Sequence, residues 1–199
     1  SGGNYNVVVG DEAGTAITTG DSNTFVGYLS GDAVTDVSYL TAIGEKALSA
    51  NTSGTKNTAV GRAALQSITT VSNNTAVGYN SLSGGSNAAA GNTAVGTETL
   101  EATTTGANNT AVGASALTAN TTGTQNVAVG AIAGDALTVG GANIAVGYAA
   151  LSSDTQGSKS IAIGTGALFT QNFTSATNAY NTAVGDSAGN AVTTGIQNT

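Results

Sequence analysis

The stretch GTKNTAVGRAALQSITT, residues 54–70, decides the reading of the chain, and its middle, NTAVG at 57–61, returns unchanged at 74–78, 92–96, 109–113 and 181–185. The Gly that closes this motif falls at 10, 27, 44, 61, 78, 96, 113, 130, 147, 164 and 185. The steps are 17 residues, apart from one of 18 and one of 21. A fixed period of this kind marks a repeat architecture, in which one short unit is stacked on copies of itself.

Aligning the units on that Gly shows which positions are uniform. The residue before it is always Val or Ile, as at Val60, Val77, Val95, Val112, Val129 and Val146. Two before is Ala, except Val8 and Phe25. Three before is Thr, Val or Ile, and four before is Asn in all but Leu40 and Ser160, as at Asn57, Asn74, Asn92, Asn109, Asn126 and Asn143. Four after is Leu or Gly, and six and eight after hold a small residue and, in most units, Thr. The residue directly after the Gly varies freely and includes Tyr28, Tyr79 and Tyr148.

Seventeen residues are too few for a helical-hairpin repeat, and Gly interrupts every candidate helix. TAV and VAV are short β-type runs bounded by turn residues. The pattern therefore predicts an all-β parallel solenoid with 11–12 coils over residues 1–199, one repeat domain whose identical columns stack about 4.8 Å apart. Two strands per coil are expected: TAV before the Gly, and the small-x-Thr segment after it. The Gly and a second one seven residues earlier, such as Gly54, are expected at turns. The end, GIQNT, opens another unit, so the chain reads as an excerpt of a longer fibrous protein.

Alternation along a strand sends Thr58 and Val60 one way and Asn57 and Ala59 the other. A lone solenoid has one wet side, which should vary. Here both faces are restricted, so both are expected to be buried: one inside the coil, the other against a second copy of the chain. Which face is which stays open at this level. The Leu file (Leu48, Leu65, Leu82, Leu100, Leu117, Leu151, Leu168) is expected to add to the contact between copies. The Asn file reads as a structural ladder of stacked side-chain hydrogen bonds.

Composition narrows the function. The net charge is −7, with only 4 Lys and Arg, which argues against nucleic acid. No run of about 18 apolar residues suggests insertion of this segment in a membrane. The chain has no His and no Cys, so a Ser-His-Asp triad, a His metal site and thiol chemistry are out of reach. The acidic pairs Asp11-Glu12 and Glu98/Glu101 lack the aromatic cleft of a glycosidase. The Gly-rich runs GTGAL and GGSNAAAG lack a phosphate-loop Lys. No enzyme, metal or cofactor is expected. Recognition is expected where the chain stops repeating: at Tyr28, Tyr79 and Tyr148, and in the insertion FTQNFTSATNAYN (169–181), with Phe169, Phe173 and Tyr180.

NTAVGRAAL, NVAVGAIAG, NIAVGYAAL and SIAIGTGAL resemble the head repeats of YadA-like trimeric autotransporter adhesins. They are also similar to NTAVG-type repeats of trimeric phage tail-fibre proteins. The resemblance implies a left-handed β-roll packed side by side as a homotrimer. It implies a non-catalytic fibre segment on a cell or virion surface, mediating adhesion or host binding to a protein or glycan. Neck, stalk and anchor of the adhesin family have no counterpart in these residues, so fold and trimer are implied more directly than an autotransporter. A competing expectation is an ice-binding solenoid, because a Thr column recurs with Thr pairs at 18–19, 69–70 and 121–122.

Overall fold

The computed structural model describes residues 3–84 and 89–199. Residues 85–88, within the GGSNAAAG run, lie outside the described residues, as does the +8 member of that coil's Thr column.

Eleven three-residue strands, from Val7–Val9 to Thr182–Val184, form one parallel sheet in strict chain order. The register is column on column: Thr58 pairs with Thr75, Ala59 with Ala76 and Val60 with Val77. The same registration holds across the 18-residue step, where Ala76 pairs with Ala94, and across the 21-residue step, where Ala162 pairs with Ala183. Both insertions are therefore absorbed outside the strand. The chain is a parallel β-solenoid with about 17 residues per coil.

The structure resolves the choice of faces. The Ala file is fully buried from Ala42 to Ala128, and the Asn file is buried with it. Thr and Val of the same strands are only half-buried. Ala and Asn thus point into the coil, and Thr and Val point outward. An Ala file suits the interior because the coil is thin, and a larger side chain at every level would overfill it.

Two expectations are corrected. The Leu file does not lie on an outer contact surface: Leu48, Leu65, Leu82, Leu100 and Leu151 are 0% exposed within the single chain. Each Leu has φ near +50°. That left-handed backbone costs a non-Gly residue roughly 1–2 kcal/mol, and it turns the side chain into the coil. Burial of a Leu side chain, about 1.5–3 kcal/mol, offsets it. The Leu N–H is held as well: Leu65 donates to the Ser81 carbonyl at 3.1 Å and Leu117 to the Ala133 carbonyl at 3.1 Å.

The second correction concerns the expected second strand. Around Thr52 the backbone is bent, not extended. Three successive N–H groups, of Thr52, Ser53 and Gly54, converge on the Thr69 carbonyl at 2.8, 3.0 and 3.4 Å. The same convergence occurs for Thr104, Thr105 and Gly106 on Thr121. An extended strand alternates the direction of its N–H groups, so it cannot aim three in a row at one acceptor. The wall opposite the sheet is thus a stack of turns, hydrogen-bonded from coil to coil. Among the described residues its one ladder pairs Gly157–Ser158 with Thr177–Asn178, beyond the expected segment in both coils.

Inside, the Asn file ties coil to coil, interrupted at Leu40 and Ser160. The Asn92 side-chain carbonyl accepts the N–H of Asn109 at 2.8 Å, and its Nδ2 donates to the Gly106 carbonyl at 2.9 Å. Asn109 repeats this with Asn126 and Gly123, and Asn126 with Asn143 and Gly140. Replacing Asn109 by Ala strands a buried N–H and a buried carbonyl on the next coil. Asn109→Ala is expected to cost about 2–4 kcal/mol, measured by urea unfolding. A loss under about 0.5 kcal/mol, typical of a surface site, would contradict the ladder's role.

Candidate recognition surfaces

Three longitudinal strips face solvent on the sheet side of the rod. The middle strip is the outward face of the strands: a Thr file beside a Val/Ile file. From Thr24 to Val112 it runs through six consecutive strands of the form Thr-x-Val or Thr-x-Ile, without a charge. Ile43, Val129, Ile144 and Ile163 are between 37% and 38% exposed, which is high for residues of this type. None of the hydroxyls of Thr24, Thr41, Thr58, Thr75, Thr93 and Thr110 bonds another group among the described residues.

The second strip follows the anchor Gly. Tyr28, Tyr79 and Tyr148 are exposed there. They stand three and four coils apart, so no two stack on one another. Arg62 lies between two of its neighbours in this file. Its Nε is 3.4 Å from a Glu45 carboxylate oxygen, and its guanidinium sits 5.6 Å from the Tyr79 ring centre. Both groups are half exposed, so the ion pair contributes little, on the order of 0–1 kcal/mol.

The third strip lies five residues before the Gly, outside the columns expected to carry recognition. Besides Ser22, Gly91 and Ala142 it holds Tyr5, Tyr39, Lys56, Asn73, Asn108, Gln125, Lys159 and Tyr180, these eight all exposed. Every one of these eight has φ between +52° and +65°, so their Cα–Cβ bonds leave the rod in the same direction. The sequence did carry a signal. This column varies as freely as the one after the Gly, and the two together contain all six Tyr of the chain.

The insertion does not form one aromatic cluster. Phe173 is buried against the coil, while Phe169 and Tyr180 are exposed. The segment is pinned by the Thr155 hydroxyl, which donates to the Phe173 carbonyl at 2.9 Å, and by the Gln156 amide, which donates to the Thr174 carbonyl at 3.1 Å. Beneath it, the buried Asp154 carboxylate accepts from the N–H of Gly157 at 2.9 Å, the N–H of Phe173 at 3.1 Å and Gln171 Nε2 at 2.6 Å. A buried carboxylate with this many donors anchors a loop. Tyr180 belongs to the third strip, where the Lys159 ammonium donates to its hydroxyl at 3.1 Å.

Among the described residues no group of His, Cys, Asp and Glu is placed to hold a metal ion, and no helix is long and apolar enough to cross a membrane. Burial pushes the Asp135 carboxyl above its ordinary range. No family model, curated protein or solved structure matches the chain. What fold and surface define is a class: a parallel β-solenoid repeat protein with one uncharged sheet face bordered by two variable files.

Proposed function

We propose that the chain is a fibre segment of a trimeric surface-attachment protein, of the adhesin-head or phage tail-fibre kind, acting outside the cell without catalysis. The observation that carries this reading is the outward Thr/Val face. It is restricted to β-branched side chains over the full sheet, yet the chain leaves it half exposed. Isolated apolar residues on a surface are ordinary, but a continuous file of them points to an interaction. A partner that covers such a face must repeat at the spacing of the coils, and a second copy of the chain does so. The repeats' likeness to trimeric fibre heads supports three copies side by side.

Light scattering on the purified chain tests this. A trimer is expected at micromolar concentration, and a clean monomer would remove the reading. Val77→Lys places an ammonium in the centre of the face, where burial against a neighbour costs several kcal/mol. It is expected to weaken assembly by about a hundredfold or more, about 3 kcal/mol, and to leave the fold intact, since Val77 points out of the coil.

One observation favours a second reading, ice binding. Six free Thr hydroxyls stand in register about 4.8 Å apart on a uniform sheet, near the repeat of water oxygens in ice. The other Thr column is excluded from this role. Its hydroxyls donate to the next coil, Thr121 to the Thr138 carbonyl at 3.1 Å and Thr138 to the Thr155 carbonyl at 2.8 Å. Thermal hysteresis of the monomeric Val77→Lys variant and of the parent chain separates the two readings. Absence of hysteresis in both dismisses ice binding.

A further inference from the structure

The strip five residues before the anchor Gly has a composition unlike the rest of the molecule. The chain carries 11 acidic residues against 4 basic ones, yet this file holds two Lys and no acid. Its other members are mostly Tyr, Asn and Gln. Their backbones are fixed twice over, by the left-handed conformation and by a bond to the preceding coil. Tyr39, Asn73, Asn108 and Gln125 each donate their N–H to a carbonyl of that coil at 3.1 Å. The side chains of Asn73 and Gln125, by contrast, make no bond within the chain among the described residues. The result is a straight comb with a rigid spine and mostly polar teeth, interrupted at Gly91 and Ala142, with Lys159 and Tyr180 bonded to each other.

We infer that this comb binds an extended acidic polysaccharide lying along the rod. The inference rests on the attachment reading and names its ligand class. Amide and phenol groups both donate and accept hydrogen bonds, which suits sugar hydroxyls. The exposed Tyr39 ring offers a face to the C–H side of a sugar ring. Lys56 and Lys159 supply the positive charge that a carboxylate-bearing sugar needs. The comb pitch, about 4.8 Å, is close to the length of one pyranose unit, so successive sugars meet successive teeth over Tyr39, Lys56 and Asn73. A protein ligand fits less well. From Thr24 to Ile163 every strand of the sheet is paired on both edges, which leaves none along that length free for strand addition. Because the backbone is preorganised, binding orders only side chains.

Affinity electrophoresis of the full chain through gels containing polygalacturonate tests the proposal, with neutral dextran as the comparison polymer. Retardation is expected in polygalacturonate and not in dextran. It should weaken with added salt, as an attraction between exposed charges does. The combined variant Tyr39→Ala, Lys56→Gln, Lys159→Gln is expected to bind roughly tenfold more weakly or worse, as loss of charge-assisted hydrogen bonds implies. Thr70→Ala, on an exposed turn outside the comb, should migrate like the parent chain. Equal retardation of the triple variant and the parent, or no retardation of the parent, overturns the proposal. A trimer that is not retarded sinks the comb and leaves the fibre reading standing. A retarded monomer keeps the comb and removes the fibre reading.

Discussion

Gly113→Ala is expected to cost about 4 kcal/mol, while the same change at Gly185 costs about half as much. Both glycines have nearly the same backbone, φ +134° at Gly113 and +132° at Gly185. That conformation lies beyond the left-handed region that Leu and Asn occupy elsewhere in the coil, and a Cβ is strained there wherever it points, by roughly 1–3 kcal/mol. The surroundings differ. A methyl on Gly113 would stand 2.4 Å from the Gly130 carbonyl oxygen and 2.5 Å from its carbon. On Gly185 the nearest atom is 3.8 Å away, at Ala188 Cβ. The atoms facing Gly113 are backbone of the next coil, which cannot rotate aside. Relief would require separating two coils that bond along the strand and around the turns, an overpacking cost of roughly 1–3 kcal/mol on top of the strain. Urea unfolding of the two variants measures the difference. Equal losses would show that φ alone keeps Gly in this column. Hydrogen exchange adds a spatial check. In a stack where each coil touches only its neighbours, lost protection should centre on the coils holding Gly113 and Gly130 and fade toward the ends.

The anchor column was legible because the same backbone, φ near +130°, recurs at every level and strains any residue with a Cβ, so the sequence shows Gly every time. The outward Val file and the inward Ala file were legible for a related reason, since a strand converts alternation directly into two faces. The opposite wall was misread. Small-x-Thr looks like a strand, but Thr there serves its hydroxyl, which reaches the next coil's carbonyl, and its N–H, which shares one acceptor with two neighbours. Neither use leaves a mark distinct from β-propensity. The Leu column was placed outside the coil because a sequence does not show that Leu adopts φ near +50°, a conformation read by default as belonging to Gly or Asn. The comb of Tyr, Lys and amide side chains was missed for the opposite reason. Its constraint lies wholly in the backbone, so the side chains vary and no column stands out. The charged and aromatic residues after the anchor Gly are placed on a solvent-facing strip, but what they bind is a matter of ligand chemistry and not of fold.

The interior balances apolar volume between two positions of each coil. Four coils carry Gly where seven carry Leu: Gly14, Gly31, Gly134 and Gly189. Three residues further on, those coils have Ile17, Val34, Leu137 and Val192, whereas Leu coils have Asn51, Thr103, Asn120, Asp154 and Gln171, with Ile68 as an exception. The thin interior accepts a limited apolar volume per level, supplied from one position or the other. Phe25 extends this exchange across two coils. It is the lone aromatic in the Ala file and is 0% exposed. A Cβ on Gly31 would come within 2.8 Å of its ring, and one on Gly14 within 2.9 Å. The ring therefore fills the space that Leu side chains fill elsewhere.

Phe25→Ala is accordingly expected to cost about 3–5 kcal/mol, because both neighbouring Leu positions are empty and the backbone cannot close in. Gly31→Leu alone is also destabilising, since the new side chain meets the ring. Together, Phe25→Ala and Gly31→Leu recreate the Ala-and-Leu coil present at Ala59 and Leu65, and the double variant is expected to be more stable than either single one. Thermal or urea unfolding of the four proteins closes a double-mutant cycle, whose coupling should reach about 3 kcal/mol, the upper end for residues in contact. Additive losses would contradict the idea that one apolar volume is shared between the two positions. Recovery should also fall short of the parent, because the space beside Gly14, bordered by Ile17 and Val8, stays unfilled on the far side of the ring.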